Sequence, residues 1–118
     1  MAPRITPNLD VADLDSMSAF WCAAVDYEPS AGAGQYRVLS PRSGEGPRFI
    51  LQQVPEGKVV KNRLHLDLDN EATFDIEAEA ARLEALGATR LSGEMEEWGS
   101  RWIVMADPEG NEFCVCAQ

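Results

Sequence analysis

The chain has 118 residues, 45% of them apolar and 25% charged, values of a globular domain large enough to bury one core without disulfides or metals. Twenty acidic residues against ten basic ones leave a net charge of −10, which repels phosphate backbones and argues against nucleic acid as a partner. No apolar run approaches the ~20 residues of a membrane span, MAPRITPNLD has no apolar leader core, and the three cysteines are an odd number, so the expectation is a cytoplasmic protein without disulfides or a membrane partner.

Residues 5–12, ITPNLDVA, alternate weakly and lead into a helix capped by Asp13, with Leu14, Met17, Phe20, Trp21 and Ala24 at helical spacing. QYRVLSP (35–41) and RFILQQV (48–54) flank a Gly- and Ser-rich turn from Pro41 to Pro47 and read as a hairpin. VPEGKVVKN (54–62) is a junction that divides a single domain, 1–118, into modules of about 1–56 and about 57–118. NRLHLDLD (62–69) then alternates strictly, as a strand does. EATFDIEAEAARLEALGA (71–88) is a helix of good formers ending at Gly87, which turns Phe74, Ile76, Ala80, Leu83 and Leu86 towards the core. ATRLSGEM (88–95), RWIVMA (101–106) and EFCVCA (112–117) are strands, the last entered through the turn DPEGN.

The order is β-α-β-β(-β) written twice, and the letters repeat with it. Asn8-Leu9-Asp10-Val11 precedes the first helix as His65-Leu66-Asp67-Leu68 precedes the second, with Asn where His stands. Two helices over mostly antiparallel strands define an α+β layer architecture.

Alternation sorts each strand onto two faces. Leu9 and Val11 oppose Thr6, Asn8 and Asp10; Leu64, Leu66 and Leu68 oppose His65, Asp67 and Asp69; Phe113 and Val115 oppose Glu112, Cys114 and Cys116. If the apolar rows pack under the helices, the polar rows share the other face, with the only histidine of the chain among them. Such a set can ligate a metal, can do acid/base work with Asp67 orienting His65, or can be the solvated face of an antiparallel sheet. Trp21 is expected in the core, Trp98 and Trp102 at a pocket, an interface or in structural packing, and Glu94, Glu96 and Glu97 in solvent.

The doubled element order, the strand NRLHLDL, the helix ARLEALGAT and the closing RWIVMADPEGNEFCV resemble the vicinal oxygen chelate superfamily, which includes glyoxalase I, the bleomycin resistance proteins and the extradiol dioxygenases. Within it the chain looks most like the small glyoxalase-like domain proteins. The resemblance implies two βαβββ modules forming a cupped, mostly antiparallel sheet with helices on the outer face, a ligand in the cup and a homodimer. It also implies a metal set with a His on the first strand, a His or Gln on the strand before the second helix, and a Glu three residues after the Asn of the last turn. On this sequence the middle position matches His65. The first falls near Thr6 or Asn8, and the last on Cys114, with Glu112 two residues early on the same face.

Two of three metal positions therefore lack their usual ligand, and no cofactor is expected. The sequence reading is a small-molecule-binding protein, acting if catalytic as a metal-independent lyase, isomerase or dehydratase through His65, Asp67 and Glu112, with Asn8, Asp10, Trp102 and Cys114 lining the ligand pocket. A protein that only sequesters its ligand is the alternative, and the charge of −10 then favours a cationic one. A divalent-metal-dependent glyoxalase or dioxygenase is the third reading.

Overall fold

The computed structural model describes residues 2–118 as an α+β chain with two helices and two sheets, of four and five strands. It divides into two compact units, residues 1–57 and 58–118.

In the first unit Asp13 caps α1 (Leu14–Val25) by accepting the Ser16 backbone N–H at 3.1 Å. The buried stripe of α1 is Leu14, Met17, Phe20, Trp21 and Ala24, as the spacing predicts. It packs over β2 (Tyr27–Ala33), β3 (Tyr36–Pro41) and β4 (Phe49–Gln53). Trp21 meets Phe20 and Phe49 edge to face, with ring centroids 5.2 and 5.3 Å apart. The strand order is β1-β4-β3-β2, with β1 (Asn8–Val11) parallel to β4 and the other pairs antiparallel.

Strand β2 has no counterpart in the sequence reading, which passes from the helix to residue 35. Its YEPSAGA carries no alternation, and Pro29 weakens any strand reading. The strand nevertheless forms because it is an edge, where proline is tolerated, and its pairing with β3 shifts register between Pro29 and Ala31.

The second unit runs β5 (Leu66–Asn70), α2 (Ile76–Leu86), β6 (Thr89–Arg90), β7 (Met95–Glu97), β8 (Ser100–Ala106) and β9 (Glu112–Ala117). Its order is β5-β9-β8-β6, with β7 also on β8, so here too the strand before the helix runs parallel to the last strand. Ile76, Ala80 and Leu83 of α2 are buried, as are Ile103, Met105, Phe113 and Val115 of the sheet it packs on.

Three expectations shift in this unit. The strand read from residue 62 starts at Leu66, because Asn62 is spent on a turn: its amide donates to the Leu64 carbonyl and its Oδ1 accepts the Glu112 N–H. His65 thus stands just ahead of the strand, and Leu64 is 80% exposed rather than in the apolar row. The helix read as 71–88 starts at Ile76, where Asp75 caps it, so that Phe74 lies ahead of it; Phe74 and Leu86, at 36% and 38% exposure, are partly exposed rather than in the core. Residues 88–95 give two short strands, β6 and the start of β7, with an irregular stretch through Gly93 between them.

Candidate functional site

The strand registers of the second unit build two polar rows across the sheet face turned away from α2. Asp67 of β5 pairs with Cys114 of β9, which pairs with Val104 of β8; Asp69, Cys116 and Trp102 form the next row. The face exists because Leu66, Leu68, Phe113, Val115, Ile103 and Met105 take the alternate positions. A cavity of about 420 Å³ opens on it, lined by His65, Asp67, Ser100, Arg101, Trp102, Val104, Cys114, Cys116 and Gln118.

Asp67 is the hub of the first row. His65 Nδ1 stands 3.2 Å from Asp67 Oδ1, and the Cys114 thiol donates to the same carboxylate. Burial, aided by the neighbouring Asp67 charge, pushes the Cys114 thiol up to about 11. Cys116 donates to Asp69 in the same way and is pushed up to about 12, again chiefly by burial and then by Asp67. Both thiols are therefore protonated at neutral pH, and neither is an activated nucleophile. Cys22, Cys114 and Cys116 are all free.

His65, Asp67, Cys114 and Trp102, singled out from the sequence, thus come together around one cavity. Glu112 does not line it. Its Oε1 accepts from Lys61 Nζ at 2.9 Å, and this ammonium holds the Glu112 carboxyl below the usual range. Asn8 and Asp10 sit on β1 of the first unit, both exposed. Ser100, Arg101, Val104, Cys116 and Gln118 also line the cavity. Alternation along β8 and β9 signals Val104 and Cys116, but nothing in the sequence indicates that Gln118 folds back, with its Nε2 on Asp69 and its Oε1 accepting from Ser100 Oγ.

One donor atom from each of His65, Asp67 and Cys114 lies within 4.8 Å of the other two. Imidazole, carboxylate and thiol together suit a divalent ion of intermediate softness such as Zn²⁺, and three protein ligands leave a position open. The donor set therefore fits a metal, with loss of the Cys114 proton as the condition for its binding.

The sequence profile of the glyoxalase-like domain matches residues 7–116, and the chain belongs to that family. Its structural neighbours lie in the glyoxalase, bleomycin resistance and dioxygenase superfamily, the vicinal oxygen chelate group. A glyoxalase/bleomycin resistance/dioxygenase family enzyme from Burkholderia phytofirmans superposes with a TM-score of 0.81 at 17% identity, covering 95% of each chain. The fosfomycin resistance protein FosX from Listeria monocytogenes gives 0.81 at 16% identity, covering 100% of this chain and 94% of its own. A mutant of that Listeria protein, complexed with Mn(II) and 1S,2S-dihydroxypropylphosphonic acid, gives 0.79 at 16% identity, covering 99% and 91%. At these identities the likeness shows the fold. No protein of curated function matches the sequence significantly.

Proposed function

We propose that the chain binds a small organic molecule in the cavity of the second unit and transfers a proton on it through His65, in the manner of a lyase, isomerase or dehydratase. The observation that carries this reading is the His65–Asp67 pair, 3.2 Å apart, on the wall of a cavity that also holds Trp102. Asp67 fixes the imidazole orientation through Nδ1 and leaves Nε2 to meet a substrate proton. Val104, the two neutral thiols and Trp102 supply apolar lining. In this reading Cys114 positions Asp67 and does not react, and Glu112 is a structural partner of Lys61.

The test begins with a thermal-shift screen of metabolites, since a ligand that prefers the folded state raises Tm with its occupancy. On the ligand found, His65→Ala should abolish turnover with binding largely kept, whereas a protein that only sequesters loses affinity and has no turnover to lose. Turnover unchanged by His65→Ala sinks the catalytic assignment.

A second reading is favoured by the donor cluster and by the Mn(II) bound to the Listeria relative: His65, Asp67 and Cys114 hold a divalent metal. When bound, the ion would supply a Lewis acid for substrate oxygens. Elemental analysis of protein purified without chelator separates the readings; a near-stoichiometric metal content that Cys114→Ser removes supports this one, and a negligible content opposes it. The homodimer and the cytoplasmic setting belong to the same proposal, and light scattering of the purified chain checks the first.

A further inference from the structure

We infer that the ligand of this cavity carries a positive charge: an organic ammonium whose apolar body rests on Trp102 and Val104 while its charge meets Asp67. The inference deepens the proposed function and rests on its reading of the cavity as the ligand site.

Along the lining the donors are mostly engaged within the protein, whereas the Asp67 carboxylate remains open. Arg101 is the only permanently charged cation there, and three of its five N–H groups are already placed within the protein: Nη1 donates to Glu94 Oε1 at 3.2 Å, and Nη2 to the carbonyls of Ala72 and Phe74 at 2.8 and 2.9 Å. Ser100 donates to Gln118, and the Gln118 amide donates to Asp69. Because Arg101 is already charge-paired with Glu94, an anionic ligand would compete with that carboxylate for the guanidinium, and it would bring its own charge towards Asp67 and Asp69. Asp67 is in the opposite position. Its side chain is 50% exposed, and a carboxylate that accepts from Cys114 and stands beside His65 still has lone pairs to offer. Trp102 adds an indole to the wall, a broad apolar surface for the body of such a ligand. The long-range field of a chain of net charge −10 acts in the same direction.

The experiment uses the full chain dialysed against EDTA and three probes of one shape: a naphthylmethyl trimethylammonium, naphthalenemethanol and naphthoate, each titrated by calorimetry. The cation should bind about tenfold tighter than the neutral probe, with the anion weakest. Asp67→Asn should bring the cation down to the affinity of the neutral probe and leave the neutral probe unchanged, while Trp102→Leu should weaken both. Equal binding of the three probes, or a cation preference that survives Asp67→Asn, overturns the charge inference. If in that case Trp102→Leu still weakens binding, the cavity stands as the ligand site and only the charge is wrong. Binding of no probe, or binding indifferent to Trp102→Leu, overturns the inference together with the reading of the cavity.

Discussion

Asp67 and Cys114 are register partners on the parallel strands β5 and β9, and the thiol donates a hydrogen bond to the carboxylate. The arrangement couples the two groups: a charged Asp67 adds to burial in keeping Cys114 protonated, and the protonated thiol helps hold the carboxylate beside His65. In a background where Cys22 and Cys116 are alanine, Asp67→Asn should move the pH midpoint of Cys114 alkylation below about 11 but keep it above the ordinary thiol range. Burial, the larger cause, is untouched. The alkylation rate at about pH 9 should rise several-fold. Iodoacetamide kinetics over a pH series measure both, and a midpoint identical to that of the parent would show that Asp67 exerts no field on the thiol.

The same thiols tie stability to alkaline pH. Their folded values, about 11 for Cys114 and about 12 for Cys116, lie above the ordinary value of 9, so folding favours the protonated forms. Their contribution is complete below about pH 9 and is lost as the pH rises through the folded values. Urea unfolding at about pH 8 and about pH 10.5 should therefore show a fall in midpoint, and a variant with alanine at both positions should show a smaller one. Parallel falls in the two proteins would place the alkaline sensitivity elsewhere than in these thiols.

At the acid end the relevant pair is Lys61 and Glu112. The lowered carboxyl of Glu112 contributes stability above its unfolded value, and that contribution disappears as the pH falls through the folded one. Lys61→Met should raise the Glu112 titration midpoint seen by carboxyl NMR. Because the Lys61 side chain is 74% exposed, 1 M salt should remove much of the difference in the parent protein. If Lys61→Met leaves the midpoint in place, the backbone N–H of Asn62, not the ammonium, sets the carboxyl.

Most of the fold can be read along the chain where periodicity and capping agree. Asp13 and the Leu14, Met17, Phe20, Trp21, Ala24 stripe specify α1 locally, and the alternation of EFCVCA places Cys114 and Cys116 on one face. What fails locally is decided by partners distant in sequence. Leu64 fits an alternating strand, but Asn62 reaches residue 112 and turns the chain before pairing begins. Strand β2 has almost no signal of its own and exists because β3 offers it a ladder. At the site, parity finds His65, Asp67 and Cys114 and also proposes Glu112, since parity cannot tell that Lys61 will take that carboxylate. Arg101 escapes notice because its role comes from carbonyls of the loop before α2.

The turn that sets this register is held by Asp107, which is 2% exposed between β8 and β9. Its Oδ1 accepts from the backbone N–H of Glu109 and Asn111 and from Asn111 Nδ2, and its Oδ2 accepts from Asn111 Nδ2 at 2.9 Å. Gly110, at φ 89°, returns its N–H to the Asp107 carbonyl. Asp107→Ala removes these acceptors while Asn111 stays buried, at a cost of about 1–3 kcal/mol for each donor left unpaired. Asp107→Asn, which keeps one carbonyl acceptor, should cost less. Urea unfolding ranks the two variants. Amide exchange along β9 should quicken in the same order, because the pairing of Ala106 with Glu112 that follows the turn is what brings Cys114 opposite Val104. An alanine variant as stable as the parent, with β9 amides equally protected, would mean that the strands hold their register without the turn.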